Sequence, residues 1–298
     1  MVHRDWPASG AHKARAVIVR PGHRVRLTDV DPRSKGDFKD KDDARKALER
    51  DIARMEELQD VFAAAQTKAL LVVLQGMDAA GKDGAIKHVM AGLNPQGVRV
   101  SSFKAPTEEE LRHDFLWRYV RVLPERGRIG IFNRSYYEEV LVVRVHPEYL
   151  RRESGAAEAS DDRIWTQRFE EINAFERHLV HSGTAILKFF LHLSKEEQTE
   201  RLLARLDDPA KIWKFSADDL KERQYWDRYQ SAYEEMLNAT STEHAPWHVV
   251  PSDHKWYARG GVAAAVVEVL DSMDLRYPSV DSAQRAALDE ARRRLTSP

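Results

Sequence analysis

The sequence predicts an α/β protein with a mainly parallel, five-stranded sheet covered by helices on both faces. Three observations carry this. Apolar runs of strand length alternate with stretches of helical period, a pattern that implies right-handed crossovers. One run, Ala69–Gln75, is continuously apolar up to its last residue, as a strand buried on both faces must be. That run empties into a glycine-bearing loop followed by a helix, and open α/β sheets bind their ligands at such strand ends.

The elements follow in order. Residues 1–40 are rich in Pro, Gly, Asp and Arg without a steady period and read as an irregular arm. From 42 to about 65, Ala44, Leu48, Ile52, Met55, Leu58 and Phe62 recur every three or four residues, as on one helix face. The strand Ala69–Gln75 and the loop come next, then a helix over 82–93. Residues 97–103 make a second strand, and Thr107 with Glu110 forms a capping box opening a helix over 107–119. A third strand spans 128–132, a helix 165–181 and a fourth strand Thr184–His192. Ser194 with Glu197 caps a helix to 206, and Ser216 with Asp219 another to about 237. A short fifth strand, 247–250, precedes a helix over 261–273, and the polar tail from 279 is expected to fray. The main domain then spans 41–275, with a polar tail over 276–298 and no visible internal repeat.

Composition narrows the function. The 298 residues carry a net charge of −1, against the basic excess that general nucleic-acid binding requires. Without cysteine there is no disulfide, thiol nucleophile or Cys-ligated zinc. No run approaches the roughly 18 apolar residues of a membrane span, and the start, MVHRDWPASG, lacks a signal peptide's apolar core, so a cytoplasmic protein is expected. The twelve histidines show no metal-binding spacing.

The loop after the first strand reads GMDAAGKDG. Gly76, Gly81 and Lys82 fit G-x-x-x-x-G-K-[ST], but the final hydroxyl position holds Asp83. Backbone N–H groups of Gly76, Ala79, Ala80 and Gly81, with the helix N-terminus behind them, would make a concave anion site. Lys82 adds a point charge that can follow a phosphoryl group. The alternative is a tight strand–helix turn with a solvent lysine, against which the buried strand before and the helix after both count. Carboxylates beside a polyanion need a cation between them. Asp78 is therefore the favoured metal or catalytic group, while Asp83 is either a second such group or a favourable charge at the helix start.

The third strand ends in IFNRSYYEEVLVVRV. P-loop enzymes place a metal-positioning acid at this kind of strand end; here stand Asn133 and then Arg134. Together with LDDPAKIWKFSADDLKERQYWDRYQ, these motifs resemble the second family of polyphosphate kinases over roughly residues 15–275. The resemblance implies a three-layer α/β/α P-loop kinase fold of thymidylate-kinase type with a helical lid, about 194–240. Most of that family carries F-D-R-S-W-Y-N-R, so Asn133 and Glu138 are departures, similar to the subgroup called class III that accepts AMP and ADP. By the resemblance Asp78 holds metal and activates the accepting phosphate, Lys82 binds phosphate, and Arg134 contacts the transferring group. Glu138 would help the shorter acceptor through a metal or water, and Asn133 offers a neutral oxygen ligand.

Within 195–229 eight bases are interleaved with nine acids and several aromatics, so the stretch is no simple basic patch. Asp208-Pro209 breaks the first helix, and a helical pair closing over phosphates would exclude water. Arg205, Lys211, Lys214 and Arg223 are the candidate polyphosphate contacts, and Lys104 a candidate for the acceptor nucleotide. The Arg112, Arg118, Arg121, Arg126 and Arg128 group either extends the polyanion path or lies on an ordinary helix surface.

The expected activity is Mg²⁺-dependent transfer from inorganic polyphosphate to AMP and ADP, yielding ADP and ATP, with Mn²⁺ as an alternative ion. Asp78 and Glu138 are the candidate metal ligands, and a homo-oligomer is expected. An ATP-dependent nucleoside monophosphate kinase is the rival enzyme, which Asp83 opposes. A binding protein without turnover is the non-enzymatic rival, with Asn133 as its one support.

Overall fold

A computed structural model describes residues 16–150, 163–210, 212–214 and 216–296. Its centre is a six-stranded sheet. The strands are β1 (Val17–Val19), β2 (Ala69–Gln75), β3 (Val98–Ser102), β4 (Ile129–Asn133), β5 (Thr184–His192) and β6 (Trp247–Pro251), in the order β1-β6-β5-β2-β4-β3. Five are parallel; β1 is antiparallel to β6. The expected five strands are thus corrected to six, because the arm is not irregular throughout. Val17–Val19 is too short to show a period, yet it pairs along β6 and buries Val19.

The helices are α1 (Lys41–Ala65), α2 (Lys82–Val89), α3 (Trp117–Val120), α4 (Val142–Val145), α5 (Arg163–His181), α6 (Lys195–Leu206), α7 (Ala217–Gln224), α8 (Trp226–Thr240), α9 (Lys255–Asp271) and α10 (Ser282–Thr296). One core layer joins α1 and α9 to the sheet through Met55, Phe62, Leu70, Val72, Leu187 and Val266. The other packs α5 and α8 on the opposite face through Phe169, Ile172, Met236, Val73, Phe132 and Phe190. Every residue of β2 is buried, which accounts for its continuous apolar run.

Several expected bounds shift for physical reasons. The Thr107–Glu110 capping box forms in both directions, at 2.7 and 3.2 Å. It opens only a single 3-10 turn, Glu110–Arg112, because Asp114 Oδ1 then accepts the Leu116 N–H and competes with a continuous helix. The helix expected from 216 to about 237 is two helices that meet at Tyr225, with Ser216 capping the first through the Asp218 N–H. The last core helix begins at Lys255 rather than 261; Gly260 and Gly261 obscured its first half, where α9 closes on Val250. The polar tail carries the exposed helix α10 instead of fraying from 279. No helix of the described residues is long and apolar enough to cross a membrane.

Candidate active site

Register brings the two motifs together. Leu74 lies beside Asn133, and the Arg134 N–H donates to Leu74 O at 3.1 Å, so the loop after β2 and the turn after β4 start at one level. The loop itself needs left-handed backbone at Gly76 (φ 153), Ala79 (φ 64) and Gly81 (φ 109). A Cβ on Gly76 would stand 2.9 Å from Leu191 O, so the neighbouring strand as well as the dihedral demands glycine. Gly81 caps α2, and Lys82 and Asp83 open its first turn.

Lys82 is buried, and its Nζ donates to Gly76 O and Met77 O. Burial, then the charge of Arg134, pushes its pKa down to about 8, against the smaller pull of Asp78 and Glu138. Arg134 has φ 64, an uncommon conformation for a side-chain-bearing residue and one that clusters at functional sites. Its guanidinium donates to Asp78 Oδ1 at 2.6 Å and to Glu138 Oε2 at 3.1 Å. Glu138 first, and Asp78 after it, hold that guanidinium more firmly protonated than usual. Asn133 Nδ2 donates to Asp83 Oδ1 at 2.7 Å, which ties the start of α2 to the end of β4. Asp83 therefore combines a helix-start charge with a cross-loop hydrogen bond.

These six side chains (Asp78, Lys82, Asp83, Asn133, Arg134, Glu138) form one cluster at adjacent strand ends. Among the described residues no group of three or more acids or histidines could hold a metal alone. Asp78 and Glu138 nevertheless suit Mg²⁺ chemically, since that ion takes one or two carboxylates and fills its remaining positions with water and phosphate oxygen.

Two supports lie outside the sequence-based site list. Arg201 of α6 is buried and donates to five oxygens: Glu197 Oε1 at 2.8 Å, Ala79 O at 2.9 Å, Ala80 O at 3.1 Å, Asp253 O at 2.9 Å, and Ser252 O. It clamps the phosphate loop to the end of β6. Beneath the Arg134 turn, Tyr136 and Tyr137 both donate to Glu176 Oε1 at 2.8 Å, while Lys188 Nζ donates to Glu176 Oε2 at 2.6 Å. The i,i+4 spacing of Glu197 and Arg201 hinted at the first; Lys188 lies inside an apolar strand run that hid the second.

The bases of α6, α7 and the turn between them divide. Arg205 pairs with Asp219 of α7 at 3.2 Å. Burial raises the Asp219 pKa, with the charge of Asp78 next and the pull of Arg205 opposing both. Arg223 bridges α7 to α6, donating to Lys195 O at 3.0 Å, Thr199 Oγ1 at 2.6 Å and Gln198 Oε1. Gln198 in turn donates to Asp78 O at 2.9 Å, so Arg223 acts on the loop through a relay. Lys211 and the Lys214 side chain lie outside the described residues. Lys104 is exposed beyond β3, and no hydrogen bond or ion pair ties its ammonium to the loop among the described residues. Arg118 is largely buried, packing over Phe103 and pairing with Glu110 at 3.5 Å, and Arg121 packs over Trp117.

The chain is similar to known proteins over nearly its whole length. The family model described as Polyphosphate kinase 2 matches residues 38–278. An ADP-polyphosphate phosphotransferase of Rhodopseudomonas palustris is 48% identical over 288 residues, covering 95% of this chain and 98% of the relative. An AMP/ADP-polyphosphate phosphotransferase of Meiothermus ruber is 45% identical over 273 residues, covering 91% and 98%. The crystal structure of Polyphosphate Kinase 2 from Arthrobacter aurescens TC1 superimposes with a TM-score of 0.82 at 42% identity, covering 93% of this chain and 99% of that one.

Proposed function

The chain belongs to the polyphosphate kinase 2 family, and from that premise we propose that it transfers the terminal phosphoryl group of inorganic polyphosphate to AMP and ADP with Mg²⁺. The observation that carries the reading is Arg134, held between Asp78 and Glu138 beside the buried Lys82. Two cations thereby converge where a phosphoryl group would pass between two polyanions.

A phosphate oxygen of the nucleotide attacks the terminal phosphorus; the bond to the bridging oxygen breaks, and the shortened chain leaves with the electron pair. The attacking oxygen is already ionised, so no strong general base is needed. Alignment and charge neutralisation supply the catalysis. Lys82 turns from its two carbonyls to the incoming phosphate, and the loop N–H groups receive its oxygens. Arg134 spans donor and acceptor, its fork held in place by the two carboxylates. Asp78 and Glu138 would hold Mg²⁺, which when bound neutralises phosphate charge as a Lewis acid. Arg205 of the lid takes a further phosphate once it leaves Asp219, and the closed helix pair keeps water from the reacting centre.

Incubating the purified protein with polyphosphate, Mg²⁺ and either AMP or ADP tests the proposal. ADP and ATP should appear in proportion to polyphosphate consumed. Failure to form either product across varied pH and metal would overturn it.

A further inference from the structure

Three bases stand beside α2, whose own first-turn acid, Asp83, is engaged by Asn133. Gly84, Lys87 and His88 are spaced i, i+3, i+4 and share one face of that helix. Arg259 of α9 closes on the same face: its Nη2 lies 3.8 Å from where a Cβ on Gly84 would be. Among the described residues none of Arg259, Lys87 and His88 has an ion-pair partner. Burial, and after it the charge of Arg201, lowers the Arg259 pKa, while burial and then Arg259 and Lys87 lower that of His88. Like charges this close repel unless an anion lies among them. A half-buried guanidinium short of both water and a carboxylate is a group prepared for one.

The location indicates which anion. Lys82 begins α2 two residues before Gly84, about 3 Å along the helix axis at the usual rise. A chain of phosphates whose end occupies the loop can therefore run on past the first turn of α2 and meet Arg259.

We infer that Arg259, with Lys87 and His88, forms a second anion station that holds a phosphate of the polyphosphate donor beyond the one seated in the loop. The guanidinium fork takes two oxygens of that phosphate, Lys87 contributes a mobile point charge, and His88 donates a ring N–H. No bond is made or broken there. The inference rests on the polyphosphate-donor reading and adds where the tail of the chain goes.

The test compares Arg259→Gln with Arg259→Lys, measuring KM for polyphosphate and KM for ADP at two salt concentrations. Arg259→Gln should raise the polyphosphate KM about three- to tenfold and flatten its salt dependence. The KM for ADP should hold, and Arg259→Lys should recover most of the loss. An equal change for polyphosphate and ADP, or none for either, overturns the inference. Should Arg259→Gln fail to fold, Lys87→Gln with His88→Gln on the outer face of α2 permits the same comparison. A wild-type enzyme that transfers nothing from polyphosphate would instead remove the donor reading itself, so the two failures are distinct.

Discussion

Lys82 should set an alkaline limit to donor binding, and the structure gives its position. The side chain is buried against two backbone carbonyls and, among the described residues, forms no ion pair. Its pKa falls from the usual 10.5 to about 8, first through burial and then through Arg134. At about 1.4 kcal/mol per pH unit, that difference corresponds to about 3 kcal/mol of unfavourable environment for the charged form. The sign follows from linkage. Between pH 8 and 10.5 the unfolded chain keeps a proton that the folded, empty site has lost, so this group's contribution to stability rises across that window. Phosphate acts the other way, restoring charge to Lys82, and donor binding above pH 8 must take up a proton. At pH 9 only about one empty site in ten carries the ammonium, so kcat/KM for polyphosphate should be about tenfold below its value at pH 7. The kcat limb should lie higher, because bound phosphate holds the proton. Lys82→Arg should remove the limb even as it lowers the rate, since arginine stays charged. A profile flat to pH 9.5 in the wild type, or a limb that survives in Lys82→Arg, would refute the assignment.

The remaining expectations concern the carboxylates and the buried supports. Glu138→Asn should impair AMP use more than ADP use, read as the ratio of kcat/KM for the two acceptors; equal loss on both removes Glu138 as the discriminator. Arg201→Met should destabilise the protein by about 3 kcal/mol in urea unfolding, as five charge-assisted hydrogen bonds lose their donor, and should raise the polyphosphate KM. An unfolding midpoint unchanged from wild type counts against its role as the loop clamp. Glu176→Gln should cost about 3–5 kcal/mol, because it leaves the Lys188 ammonium buried without its counter-charge. Glu176→Leu combined with Lys188→Met should cost less than that single change, and a double variant weaker than Glu176→Gln would show that the pair's charge is not what matters.

The legible parts of the molecule were those written locally. Ala69–Gln75 announced a central strand because both of its faces are buried, and GMDAAGKDG announced an anion loop because glycines are needed where the backbone turns left-handed. The Asp78, Lys82, Arg134 and Glu138 cluster was legible for a related reason: parallel register aligns the ends of β2 and β4. What escaped was either short or distant. Three residues of β1 cannot display a period, and Arg201 meets carbonyls over a hundred positions earlier in the chain. Lys188 sat unremarked in TAILKFFLH, since a sequence does not show that Glu176, two tyrosines and Thr240 O surround its ammonium. The sequence shows the charge of Arg223 but not the three hydrogen bonds that join it to Lys195, Gln198 and Thr199 of α6.

The N-terminal strand bears on where this protein can be cut. The match to the family model begins at residue 38, so a truncation there looks harmless. It would strip β1 from the edge of β6 and expose a row of unpaired backbone groups, the surface on which sheets recruit other chains. It would also release α8, which is stitched to the arm by Asn238 accepting the Val25 N–H at 2.8 Å and Glu234 accepting that of Leu27 at 3.0 Å. A shortened enzyme should therefore aggregate before it loses its catalytic side chains, and a purification tag is better carried at the far end, beyond the exposed α10.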